Sequence, residues 1–334
     1  MSQITRRAAL AAAALSGLAA PVRAEARWRM VASVLWQVQE VYCTVDPKGR
    51  IVIAGGLASG LAANGGALTI LANSAAYYPQ HDSWTELSGL PAPRHHPALA
   101  TAAGRVLAFG GYGQGQGLWT AKREIYALEN ELWAYAGLMP KAQCETVALA
   151  LDDRVHLIGG RAPKGAANAE WQDQDDIALH QVFDPGASRW SEAAPAPTAR
   201  NSAAGAVIDG LAYVVGGRTV AGGNLATLER YDPKADRWEA LRPMPQASGG
   251  LAAATVGGRL YAFGGEWFAP GGGGVYGETF VYDPKTDQWE AGPRMRTPRH
   301  GLAAAAVNGT IYAIGGGRRV SGGQTTMDHE ALTP

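Results

Sequence analysis

Short apolar runs punctuate the chain, and each ends in two glycines: IVIAGG (51–56), VLAFGG (106–111), VHLIGG (155–160), AYVVGG (212–217), LYAFGG (260–265) and IYAIGG (311–316). Apolar runs this short, bounded by glycine, predict buried β-strands. The doublets return at about 50-residue intervals, a period typical of repeat architectures.

After each of the first five doublets comes an aromatic residue and, seven positions later, a tryptophan: Tyr77 and Trp84, Tyr126 and Trp133, Phe183 and Trp190, Tyr231 and Trp238, Tyr282 and Trp289. From each tryptophan to the next doublet is 26 residues in all five cases, whereas the step from doublet to aromatic varies from 15 to 24. Insertions are therefore confined to one loop of the unit. FDP (183–185) and YDP (231–233, 282–284) mark strands entering turns, because Asp bonds the nearby backbone and Pro presets φ. Each unit holds four strands: an Ala/Val-rich run such as GLAAAAV (301–307), the run ending in Gly-Gly, the aromatic strand, and a strand beginning at Trp.

Gly-Gly, then Tyr, then Trp at these relative positions resembles the kelch repeat, and the resemblance spans residues 27–334. It implies an all-β fold, a six-bladed kelch β-propeller with four strands per blade. HEALTP (329–334) aligns with HQVFDP (180–185) and then stops, so the sixth unit lacks its Trp strand. Trp28 precedes the first doublet by 27 residues, close to the spacing seen elsewhere. The ring is thus expected to close through an N-terminal outer strand, residues 27–33. The doublets are expected to turn the backbone and leave room for aromatic rings of the same or the adjoining blade.

With 47% hydrophobic and 17% charged residues, the composition is globular, and the 44 glycines without a collagen-like period act as turn punctuation. Residues 1–24 form an expected cleaved export segment. Arg6 and Arg7 precede an apolar run from Ala8 to Ala20, and TRRAAL resembles the twin-arginine signal. Its removal takes away three arginines and no acid, leaving 26 basic against 29 acidic side chains. The expected product is a periplasmic or secreted domain with no affinity for nucleic acid or membrane. Cys43 and Cys144 could pair or stay free, and free thiols are favoured.

Second strands end and first strands begin at one face of the disc, and the variable loops lie there too, which makes this face the expected binding face. Fifteen positions before the doublets stand Glu40, His95, Cys144, Asn201, Gly249 and His300, preceded by Gln39, Arg94, Gln143, Arg200, Ser248 and Arg299. The loops add Tyr112, Arg161, Arg218, Glu266, Trp267, Arg318 and Arg319. An arginine-rich mouth suits a small anionic or sugar ligand, or an acidic segment of a protein partner. The expected ligand contacts are Arg94, His95, Arg161, Arg200, Asn201, Arg218, Glu266, Trp267, Arg299, His300 and Arg318. For Arg94, Arg200 and Arg299 the alternative is a turn or inter-blade role. WQDQDD (171–176) could be a carboxylate site for calcium, and a solvated acidic loop is the favoured expectation because its spacing is not that of an EF-hand.

Ring closure makes blades six, one and two consecutive, so His300, Glu40 and His95 are expected side by side as an acid/base or ligand-holding arc. No cofactor or bound metal is expected. Three functions follow from the resemblance. The first is a non-catalytic binding module. The second is a carbohydrate-active enzyme similar to the bacterial kelch sialic acid mutarotases (N-acetylneuraminate epimerases), with no motif that carries residues over. The third is a copper enzyme like galactose oxidase, whose adjacent Tyr-His is absent here.

Overall fold

In the computed structural model, residues 26–59 and 67–334 are described. The export segment lies outside them. Six antiparallel four-stranded sheets form the blades of a propeller. Blade one comprises Tyr42–Val45, Ile51–Ala54, Ser74–Tyr78 and Ser83–Leu87. Blade five comprises Ala252–Val256, Arg259–Phe263, Thr279–Asp283 and Gln288–Ala291. Blade six joins Ala303–Val307, Thr310–Ile314 and His329–Leu332 to the N-terminal Arg29–Met30. Arg29 pairs with Ala331 and Met30 with Glu330, so the outer strand of the last blade comes from the start of the chain. Trp28 is buried against Phe263 of blade five and near Ile311, Ala313 and Leu332 of blade six. No helix among the described residues is long and apolar enough to cross a membrane.

The Tyr–Trp step proves to be a stitch between blades. Tyr231 and Trp238 lie on facing strands of blade four with ring centroids 5.1 Å apart. Trp238 Nε1 donates to the Ala194 carbonyl of the preceding blade at 2.9 Å. Tyr231 Oη donates to Asp236, which accepts the Ala194 N–H with the same oxygen. Tyr77, Asp82, Trp84 and Ala32 repeat the arrangement across the closure, and Tyr282, Asp287, Trp289 and Arg242 repeat it between blades four and five. A tryptophan at this place buries a large face and satisfies its only donor.

The glycine doublets do not make room for aromatic rings. Gly264 and Gly265 both have positive φ, and a Cβ on them would stand 2.7 Å from the Arg299 carbonyl of the next blade and 2.8 Å from the Gly249 carbonyl of their own. Gly265 N–H donates to that Arg299 carbonyl. The doublet is therefore where two backbones meet, and the absent Cβ permits an inter-blade hydrogen bond.

Candidate functional site

At the mouth face each first strand is entered through one residue in the left-handed region: Glu40, His96, Glu145, Ser202, Gly250 and Gly301, with φ between 49° and 66°. Backbone hydrogen bonds run around this ring, from Glu40 N–H to Gly301, Gly301 to Gly250, Gly250 to Ser202, Ser202 to Glu145, and His96 to Glu40. The ring corrects the expected alignment of blade one by one residue. Gln39 bridges to Leu57 as His95 pairs with Tyr112, Asn201 bridges to Arg218 and His300 to Gly317. Glu40 is thus equivalent to His96 and Gly301, not to His95 and His300. The extra residue shows in the sequence as the 27-residue step after Trp28.

Closure does bring three ionisable groups together, but the second imidazole at Glu40 belongs to His96. His96 Nε2 lies 2.7 Å from Glu40 Oε2, and His300 Nε2 lies 3.6 Å from Glu40 Oε1. His95 stands behind, its Nδ1 2.8 Å from His96 Nδ1 and its Nε2 2.9 Å from the Leu118 carbonyl. The charge of this chain follows from counting protons. A carbonyl only accepts, so His95 Nε2 carries a hydrogen, and each of the other two short contacts needs one proton between its heavy atoms. Two neutral imidazoles supply two protons for three hydrogen bonds. The third proton leaves His95, His96 and Glu40 together with no net charge, wherever each proton sits.

The distribution of those protons follows from burial and charge. Burial opposes ionisation of Glu40, but His96 and His300 outweigh it and hold the carboxyl far below the usual range. Burial likewise opposes the His96 cation, and the Glu40 carboxylate more than offsets it, so the His96 pKa is raised. Burial, with the neighbouring His96, pushes His95 down to about 3. His96 is the cation and His95 the neutral acceptor.

Two further charge pairs complete the floor. Arg218 Nη1 bonds Glu266 Oε1, its Nε donates to Asn201 Oδ1 at 3.3 Å, and Ser321 N–H donates to Glu266 Oε2 at 2.8 Å. Burial opposes the Arg218 cation, but Glu266, Glu145 and Glu40 raise its pKa. Glu145 is buried with Arg161 3.5 Å away, and it accepts from Ser202 Oγ at 2.6 Å and Tyr112 Oη at 3.1 Å. Above the floor opens a cavity of about 570 Å³. Glu40, His96, Arg218 and Glu266 line its base, while Trp119, Trp171, Phe268 and Leu57 wall it.

Of the expected ligand contacts, Arg218 and Glu266 line the cavity, and Asn201, His95 and His300 sit directly behind lining groups. Arg94, Arg200 and Arg299 do not reach it. Each is buried within its blade, Arg94 on Glu124 and Tyr126, Arg200 on Glu229 and the Val214 carbonyl, and Arg299 on Glu330 and the carbonyls of Ala313 and Gly315. Arg161 is also buried, donating to the carbonyls of Trp171 and Gln174 with its guanidinium 4.1 Å from the Trp171 ring centre. It props up a cavity wall. Arg318 forms a bidentate pair with Asp328, and Trp267 is an exposed rim residue whose neighbour Phe268 faces the cavity. A long guanidinium reaches several acceptors from one backbone position, so spacing alone does not say whether it points to the mouth or into the blade.

His96, Trp119 and Trp171 were missed as site residues. His96 follows His95 directly, and the one-residue offset of blade one was the available signal. Asp173 and Asp176 of the acidic loop are occupied by hydrogen bonds from Ala169, Glu170, Asn201 and Val220. Both cysteines are free, and Cys43 Sγ donates to the Ala304 carbonyl.

Comparison with known proteins agrees with this architecture. The KLHDC2/KLHL20/DRC7 Kelch-repeats domain matches residues 151–329, more than half of the chain. Human Kelch-like protein 35 is 35% identical over 245 residues, 72% of this chain and 37% of that protein. Kelch-like protein terF of Aspergillus terreus is 27% identical over 247 residues, 70% of this chain and 52% of that protein. The chain spans from about a seventh to about half of the length of the curated relatives it matches. The solved structure of YjhT superposes with a TM-score of 0.74 at 16% identity, over 90% of this chain and 95% of that one, a likeness of fold. The repeat spacing, the six closed blades and the matched domain together establish that the chain belongs to the kelch-repeat family.

Proposed function

We propose that the mouth cavity binds a small ring-shaped ligand, such as a sugar, by stacking on its aromatic wall and hydrogen bonding to its floor. The cavity itself carries this reading. Its volume of about 570 Å³ falls within the roughly 300–1,000 Å³ of small-molecule pockets, and a few polar groups converge at the base of a mainly apolar wall. Trp119, Trp171 and Phe268 line the cavity with aromatic surface on which a ring can stack. Glu40, held ionised by His96, is an acceptor of hydrogen bonds and a weak base, which favours binding over proton abstraction. The second reading, a protein segment inserted at the mouth, draws support from the exposed Trp267 and Phe268 on the rim hairpin Glu266–Ala269 and Gly272–Val275. Following the twin-arginine-like start, the chain is proposed to work in the periplasm.

Titration calorimetry and tryptophan fluorescence with a panel of sugars and sugar acids test the proposal. A saturable ligand whose signal is lost in Trp119→Ala and weakened in Phe268→Ala is expected. If no small molecule saturates the protein while a displayed peptide binds in a Trp267-dependent way, the second reading replaces the first. A ligand whose anomers interconvert faster in the protein's presence, with the effect lost in Glu40→Gln, would instead make the cavity catalytic.

A further inference from the structure

We infer that the ligand of the mouth cavity carries no net charge and offers a hydrogen-bond donor beside an acceptor, so that neutral sugars fit it and sugar acids do not. This rests on the ring-ligand reading and replaces the anionic ligand that an arginine-rich mouth suggests. Four ionisable side chains line the cavity: Glu40, His96, Arg218 and Glu266. The His95–His96–Glu40 chain is neutral by its proton count, and Arg218 is matched by Glu266. The Glu145–Arg161 pair beneath is balanced too. A charged ligand would therefore bring an uncompensated charge out of water, a cost that the floor has no counter-ion to offset.

The open hydrogen-bonding positions point the same way. Glu266 has both oxygens engaged, by Arg218 and by Ser321 N–H. Glu40 Oε2 is taken by His96, which leaves Oε1 without a donor within hydrogen-bond distance among the described residues. Arg218 uses Nη1 and Nε, and among the described residues its Nη2 donates to no protein acceptor. Among the charged groups Glu40 Oε1 remains as an acceptor and Arg218 Nη2 as a donor, and on the lining Gln39 Oε1 and Asn224 Oδ1 are further acceptors with no partner among the described residues, so the hydroxyls of a sugar suit the site. His300 is not among the lining groups and lies behind Glu40 and Glu266, its Nε2 3.6 Å and 3.4 Å from their carboxylate oxygens. Its Nδ1 donates to the Gly317 carbonyl, and its Nε2 has no hydrogen-bond partner.

The test uses three compounds that differ only at C6, namely glucose, glucuronate and 6-amino-6-deoxyglucose, together with the same three forms of galactose and mannose. Binding is measured by calorimetry at about pH 8, above the range in which an ordinary imidazole is charged. In whichever series binds, the neutral member should bind at least about tenfold more tightly than either charged form. Glu266→Gln leaves the Arg218 cation unmatched and so adds one positive charge to the site, which should shift the preference toward the uronate. Arg218→Gln removes one and should shift it toward the amine. A uronate binding as tightly as its parent sugar overturns the inference and leaves the binding cavity standing. Failure of all nine compounds to bind overturns the inference and the sugar reading together.

Discussion

Nε2 of His96 and Oε2 of Glu40 are 2.7 Å apart, on equivalent residues of neighbouring blades that both adopt positive φ. Neither side chain meets the other through local sequence. The propeller ring brings them together, and both are thereby withdrawn from bulk water. The pairing also makes several outcomes measurable.

The pair should make stability depend on pH in both directions. Glu40 has a depressed pKa, so its contribution is present above the unfolded glutamate value and is lost as pH falls toward the folded one. His96 has a raised pKa, so its contribution is full below the unfolded histidine value and is lost as pH rises through the folded one. The stability gap between the parent and His96→Gln should therefore be widest between about pH 4.3 and 6.5, narrowing on either side. Removal of one buried partner should cost about 3–5 kcal/mol there. Chemical denaturation across the pH range checks this, and a gap that does not vary with pH refutes it.

Arg299→Ala should destabilise blade six by about 3–5 kcal/mol, because it leaves Glu330 buried without its cation and frees the carbonyls of Ala313 and Gly315. Since Arg299 does not reach the cavity, any variant that folds should keep its ligand affinity. Lost affinity in a folded Arg299→Lys protein would restore the arginine to the mouth.

Trp28 closes the ring with an indole N–H that donates to the Pro293 carbonyl at 3.0 Å. Trp28→Ala should cost roughly 3–5 kcal/mol, and deletion of residues 27–33 should cost more by exposing the edge of His329–Leu332. An unchanged melting temperature in either variant would count against N-terminal closure as a stabilising device.

Export is a separate proposal, resting on Arg6, Arg7 and the apolar run from Ala8 to Ala20 that follows them. Changing both to Lys should leave the folded chain in the cytoplasm, as fractionation would show. Normal appearance of the double variant in the periplasm would remove the twin-arginine reading.

The amino-acid sequence by itself determined the propeller, its six blades and its closure. These rest on local, periodic demands: a Trp must reach the preceding blade, and a Gly must let two backbones meet, so the same spacing returns in every unit. Trp28 and the truncated last repeat could be matched because the period is strict. Tertiary structure decided which side chains form the site. One additional residue before the first doublet moved Glu40 from the register of His95 to that of His96, and the backbone ring made that offset visible. It also decided the arginines, which stand at equivalent places in the repeat yet end differently. Arg161 found the carbonyls of Trp171 and Gln174 in the cavity wall, whereas Arg218 found Glu266 of the next blade. The physical reason is reach: backbone positions repeat with the blade, but a long charged side chain is placed by the acceptors that a whole closed ring brings near it.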